Sequence, residues 1–412
     1  VPFVAVDPAT ASATDRAIGA AQDRLRTEPT NAKARLALAQ AFLQKARETA
    51  DPTLYGKADA LLASLPDDDP GALVARGVLA LARHQFTDGL RLGRAALAAA
   101  PGSEAALGII VDASNELGRY DEAVDATQRM VDTKPNLASY SRVSYARELH
   151  GDLDGAVTAM DAAVEAGGTM GGENVAYVQT QLGLLLLTTG DLAGAGRALD
   201  AADVSFPGFP PVLVARARLL LAQHRDADAA ALLTRAAEVQ PLAETVALQA
   251  DTLAAIGDAA GARRAESLVA AIAKLYRANG VRTDLEMALF DADHHPGADA
   301  VAAARRALAE RPSILGHDVL AWNLFRAGDA EAAWPEVQRA LATGSHDPQL
   351  RFHAAVIAEA TGHRAAARQH LASVLRTNPR FSPRHDHTIE ALADQIGLAK
   401  ESMGLATTGT GE

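Results

Sequence analysis

Histidine is the residue type whose placement has most chemical meaning in this chain. Nine of the twelve histidines follow residue 290: His294, His295, His317, His346, His353, His363, His370, His385 and His387. An even spread would put about three or four of them there. Asp291-Ala292-Asp293-His294-His295 and His385-Asp386-His387 gather donor types that suit Zn, Cu or Ni. His294, His295, His385 and His387 are therefore candidate metal ligands. Against this, neighbouring histidines on a helix point apart, and a pH-sensitive partner surface uses the same residues equally well. The rest of the sequence offers little chemistry. There is no Cys, hence no disulfide and no thiolate ligand or nucleophile. HExxH, a nucleophile elbow and the phosphate-binding GxxxxGK[ST] are absent, and Gly409-Thr410-Gly411 alone has no meaning as a dinucleotide motif. With no nucleophile, base and orienter converging, neither enzymatic activity nor a cofactor is expected. Asp67-Asp68-Asp69 before Pro70 reads as a solvated turn rather than a cation site.

The elements that must position these residues are helices. Apolar residues make up 49% of the 412 residues but aromatics only 4%, which favours closely packed helices over sheets. The formal net charge of −12 argues against a nucleic-acid partner, which needs a basic face. Arg outnumbers Lys 33 to 6, a bias that fits a GC-rich genome and has no functional weight. No run approaches the ~18–20 apolar residues that span a bilayer. The chain begins at Val1, as a chain would after removal of an export or anchor segment.

A bend recurs along the sequence. Gly118-Arg119-Tyr120-Asp121-Glu122-Ala123 is followed by Gly151-Asp152-Leu153-Asp154-Gly155-Ala156 and by related stretches at Gly190, Gly257, Gly328 and Gly362. His84, His224 and His295 stand at equivalent positions, and their bends are expected to close differently, without glycine's easy left-handed turn. The intervals between the nine bends are 34, 33, 39, 34, 33, 38, 33 and 34 residues. Five residues beyond each bend stands Gly89, Ala123, Ala156, Ala195, Ala229, Ala262, Ala300, Ala333 or Ala367, small enough for close helix approach. A helix-closing proline follows at Pro101, Pro135, Pro207, Pro241, Pro312 and Pro379. Ahead of the first bend, Thr14 to Arg26 has helical periodicity and Asn31 offers the next N-cap. Beyond the last, Ser382-Pro383 is expected to start a final helix.

A helix-turn-helix of about 34 residues with a Gly bend, a small residue five later and a terminal Pro resembles the tetratricopeptide repeat. The resemblance covers about residues 30 to 380, although the large residue usual early in the first helix is often missing. It implies an all-α fold, an α-solenoid of about ten hairpins in a right-handed superhelix with terminal capping helices. The boundaries expected are 1–29 for the lead-in and capping helix, 30–166 for the first half of the array and 167–172 for a Gly-rich loop. Residues 173–381 then form the second half, 382–397 a capping helix and 398–412 a disordered tail. Leu137 to Ala166, Arg277 through His294, and Asn378 to Pro383 further resemble bacterial multi-repeat proteins that are exported or anchored. That likeness implies an extracytoplasmic location.

In such arrays the first helix of each hairpin lines a concave face. Inward positions then fall at Asp112, Asn115, Arg142, Tyr145, Glu148, Tyr177, Gln181, Arg218, Trp322 and Phe325, with Asp251, Asp318, Phe352 and His353 at related offsets. Aromatics beside Arg make effective anchors for a protein or peptide partner. The function expected is a non-enzymatic protein-protein interaction scaffold holding a protein segment or subunit in its groove. The alternative is a metal-binding accessory protein using the C-terminal histidines.

Overall fold

The recurring bend is a left-handed turn followed by a helix cap. In the computed structural model, which describes residues 12–168 and 172–398, the bend glycines have φ from 66° at Gly118 to 92° at Gly328. At Gly118 the N–H bonds back to Asn115 O at 3.2 Å and that of Arg119 to Ser114 O at 2.8 Å, satisfying carbonyls that the ending helix leaves open. The Asp that follows several of these glycines caps the next helix. Asp152, Asp191 and Asp258 accept from the N–H groups of Gly155, Gly194 and Gly261 at 2.7–3.0 Å. A Cβ on Gly194 would come within 2.1 Å of the capping carboxylate, which explains the second glycine of the motif.

His84 and His224 correct the expectation for their bends. Both adopt the left-handed conformation, with φ of 55° and 59°, and repeat the hydrogen bonds seen at Gly118. A His84 contact offsets the strain, since its Nδ1 lies 2.8 Å from Arg282 O. The bend at His295 does close differently: the helix runs to His294 and Gly297 precedes the next one. His224→Gly is expected to stabilise the protein by about 1 kcal/mol, the order of the left-handed penalty for a side chain. Urea denaturation would show it, and an unchanged or lowered midpoint would mean that the His224 side chain contributes more than its backbone costs.

Among the described residues, helix α1 (Ala13–Thr27) precedes ten hairpins. The first five are α2 (Ala32–Thr49) with α3 (Thr53–Leu62), α4 (Pro70–Ala82) with α5 (Phe86–Ala99), α6 (Glu104–Glu116) with α7 (Tyr120–Thr133), α8 (Leu137–Leu149) with α9 (Leu153–Gly167), and α10 (Glu173–Thr188) with α11 (Leu192–Ser205). The others are α12 (Pro210–Ala222) with α13 (Asp226–Val239), α14 (Ala243–Ala255) with α15 (Ala259–Ala278), α16 (Asp284–His294) with α17 (Ala298–Glu310), α18 (Ile314–Arg326) with α19 (Ala330–Ala340), and α20 (Pro348–Ala360) with α21 (Arg364–Arg376). All nine small residues beyond the bends are buried, so each second helix meets its neighbours through a side chain no larger than a methyl. Each closing proline lies two or three residues past a second helix. Asp69 of the acidic run caps α4 through Ala72 N–H.

The chain divides into two compact units. The first is Val1–Arg142 with Val239–Leu242 and Ala270–Thr283; the second is Val143–Glu238 with Ala243–Val269 and Asp284–Glu412. The division falls inside α8 rather than at the Gly-rich loop, of which residues 169–171 lie outside the described residues. Within the first unit, Ile18, Leu38, Phe42 and Leu62 centre one core. The Tyr276 hydroxyl donates to Ala50 O at 2.9 Å, fixing the end of α15 to the turn after α2. Within the second unit, Trp322, Phe352 and Leu371 share a core with Ile389 and Leu392 of α22 (Asp386–Gln395). That last helix therefore covers the end of the apolar stack, as a terminal repeat must. Ser382 does not cap it: a 3₁₀ turn over Pro383–His385 comes first, and Ser382 makes no capping side-chain bond. The expected lead-in at 1–11 and the tail at 399–412 lie outside the described residues. No helix among the described residues is long and apolar enough to cross a membrane.

Candidate functional site

A single register runs through the first helices of the second unit. Six residues before the bends at Gly151, Gly190, His224 and Gly257 stand Tyr145, Leu184, Arg218 and Asp251, and none of the four is buried; Gln181 lies one turn earlier on α10. Side chains at one register of stacked hairpins form a stripe. Glu148 and Tyr177 lie on the same two helices as its first half, and Tyr145 and Tyr177 are 38% and 43% exposed. In α18 the residue six before its bend is Trp322, which is only 2% exposed.

The stripe changes character at α14 because the chain itself covers it. The guanidinium of Arg384, in the 3₁₀ turn, donates to Asp251 at 2.7 Å and lies 3.0 Å from Nε2 of His294. Four residues earlier, Arg380 donates to Asp226 at 2.6 Å and to Leu221 O at 3.1 Å. A cavity of about 220 Å³ remains beneath this segment, lined by Arg218, Glu244, Asp293, His353, Phe381 and His385 among others.

Buried polar pairs stiffen its walls. His353 Nδ1 is 3.0 Å from both oxygens of Asp318, and its ring stacks on Trp322 with centroids 4.1 Å apart. The Trp322 indole N–H donates to Asp293 at 3.0 Å, and His385 Nε2 stands 3.5 Å from the other Asp293 oxygen. Burial works to raise the Asp293 carboxyl, but the hydrogen bond and charge of His385, the charge of His353 and the Trp322 indole outweigh it and hold it at about 2. Glu148 shows the opposite balance. Burial, reinforced by the nearby Asp347 charge, pushes it up to about 7. Asp347 is itself raised by burial although it caps α20 through the Gln349 and Leu350 N–H groups. Burial lowers Arg218, while Glu244 and Asp347 pull it back up.

Of the residues singled out in the sequence, Tyr145, Glu148, Tyr177, Gln181 and Arg218 lie on α8, α10 and α12 of the second unit. Asp112 and Arg142 meet in the first unit as a two-pronged ion pair, with Nε–Oδ1 2.8 Å and Nη2–Oδ2 2.7 Å. Asn115 and Trp322 are buried and offer no surface, and Phe325 packs against the core. His294 and His385 line the cavity, whereas His295 and His387 lie outside it and are exposed. The four candidate metal ligands are thus not brought together, and among the described residues no three His, Asp or Glu side chains are gathered as a metal ion requires. Sequence reasoning missed the covering role of Arg380 and Arg384. Their partners are 154 and 133 residues away, so no local pattern announces them.

No family model matches the sequence. No curated protein matches it either. Solved structures similar to this chain include the type IV pilus biogenesis factor PilW, at 15% identity over 49% of this chain and 92% of that one, with a TM-score of 0.41. Another is a tetratricopeptide repeat protein from Parabacteroides merdae, at 14% identity over 64% and 98%, TM-score 0.39. Yeast Tom70 is similar at 12% identity over 93% of this chain and 85% of that one, TM-score 0.39. With its left-handed bends, buried small residues and helix-closing prolines, the chain resembles the tetratricopeptide repeat family and is an all-α solenoid of that kind.

Proposed function

We propose that this chain is a non-enzymatic interaction scaffold whose first-helix stripe receives a segment or subunit of a protein partner. One observation supports the reading above others: Tyr145, Arg218 and Asp251 each stand six residues before their bends, Gln181 lies on the intervening first helix, and all four retain surface. A stack needs apolar residues at positions that only pack, so a polar and aromatic series at one register needs another reason. Exposed tyrosines supply contact area at small entropic cost and are frequent interface anchors. The proposed contacts are Tyr145, Glu148, Tyr177, Gln181 and Arg218. The same reading puts the chain outside the cytoplasm, on the resemblance of three of its segments to exported repeat proteins.

Cross-linking in intact cells, followed by fractionation and capture, tests both parts. A Tyr145→Ala/Tyr177→Ala variant should capture its partner at least tenfold less well, about 1.4 kcal/mol, with an unchanged helical spectrum. Equal capture would put the contact surface elsewhere. Cross-links confined to cytosolic proteins would overturn the location.

A further inference from the structure

We propose that the cavity beneath the 381–385 segment is a binding site for a small organic carboxylate with an apolar body, anchored by Arg218. Its 220 Å³ equals the volume of about seven waters, at about 30 Å³ each. Phe290 and Phe381 give it an apolar wall, while Arg218, Gln349 and His353 present polar groups.

The charges decide the sign of the ligand. Most acids around the cavity are already engaged: Asp293 by Trp322 and His385, Asp251 by Arg384, and Glu286 by Arg311 at 2.6 Å. Asp347 turns its carboxylate to the N–H groups of its own helix, and Glu244 is exposed. Arg218 differs from all of these. It makes no hydrogen bond or short ion pair among the described residues, and Glu244 and Asp347 act on it only through space. A guanidinium with no protein partner for its five donors is a ready anchor, and a carboxylate satisfies it with two parallel bonds. His353 adds a second polar point. With Nδ1 held by Asp318, the ring is fixed and Nε2 is the atom left for a ligand in the cavity it lines. Arg218 is shared with the partner stripe, whereas Tyr145 and Tyr177 do not line the cavity and separate the two readings.

The experiment uses a Trp334→Phe background, which leaves Trp322, stacked on His353, as the only tryptophan. Phenylacetate should change its fluorescence saturably at millimolar concentration, and benzylamine, a cation of similar size, should not. Arg218→Gln should weaken phenylacetate binding at least tenfold while keeping the parent's urea midpoint. If that variant fails to fold, Arg218→Lys keeps the charge without the fork and should weaken binding severalfold. Tyr145→Ala/Tyr177→Ala should leave phenylacetate binding unchanged, so the site and the scaffold reading fail separately. Absence of saturable phenylacetate binding, equal binding by the Arg218 variant that folds, or preference for benzylamine would overturn the proposal.

Discussion

Asp318→Ala is expected to destabilise the second unit by about 3–5 kcal/mol, the range for a buried charged pair broken from one side. Asp318 and His353 are 2% and 1% exposed, so the imidazole left behind has no water to turn to. Its ring is also pinned between Asp318 and Trp322, and Trp322 in turn bonds Asp293, so one deletion loosens three side chains. Asp318→Asn keeps an acceptor opposite Nδ1 and should cost much less. Asp318→Leu with His353→Leu removes both partners and should fall between the two, because packing replaces the lost bonds. Urea denaturation followed by Trp322 fluorescence measures all three. If Asp318→Ala proves no worse than the double variant, the pair is not a coupled unit.

Glu148→Gln should stabilise the protein, and increasingly so as pH rises. The folded state holds the Glu148 proton up to about pH 7, whereas the unfolded chain releases it near 4.5. Between those values the folded state binds more protons, so stability falls as pH rises through the window. The amide has no proton to lose. The difference between variant and parent should be near zero at pH 4.5 and reach about 3 kcal/mol above pH 7, at about 1.4 kcal/mol per unit. His370 works in the other direction. Burial and the Arg351 charge push it down to about 4, so the unfolded chain takes up a proton below 6.5 that the folded state refuses. That contribution is lost as pH falls from 6.5 towards 4. The parent should therefore be most stable between these limits, and Glu148→Gln should move the optimum upward. Urea midpoints at pH 4.5, 6, 7 and 8 settle it; a difference that does not grow with pH would show that Glu148 is ionised in the folded state throughout.

The hairpins were legible because their signals are local. Gly118 and its counterparts, the alanine five residues on and the proline beyond act within one helix-turn-helix, and all three keep their register through insertions of several residues. The stripe was legible for the same reason, since Tyr145 and Arg218 each sit six residues before their bends and Gln181 nine before its own. Trp322 shows where this stops. It occupies the same offset, yet three rings at His353, His385 and Phe352 close over it. The offset fixes direction, but burial depends on whether another segment arrives to cover the side chain. His84 and His224 mark a different limit. The sequence lacks glycine there, but the hairpin geometry imposes the left-handed turn on whatever residue is present.

The clasp formed by Arg380 and Arg384 on Asp226 and Asp251 also bears on how this chain can have evolved. An open repeat array tolerates gain or loss of a unit, because each repeat touches only its neighbours. Here the segment after α21 must meet α13 and α14 across the hairpins between them. Duplicating or deleting any one of those hairpins would carry the arginines past their acidic partners. Copy number between α14 and α21 is thereby fixed, and the bond from Tyr276 to Ala50 sets the same kind of limit between α2 and α15.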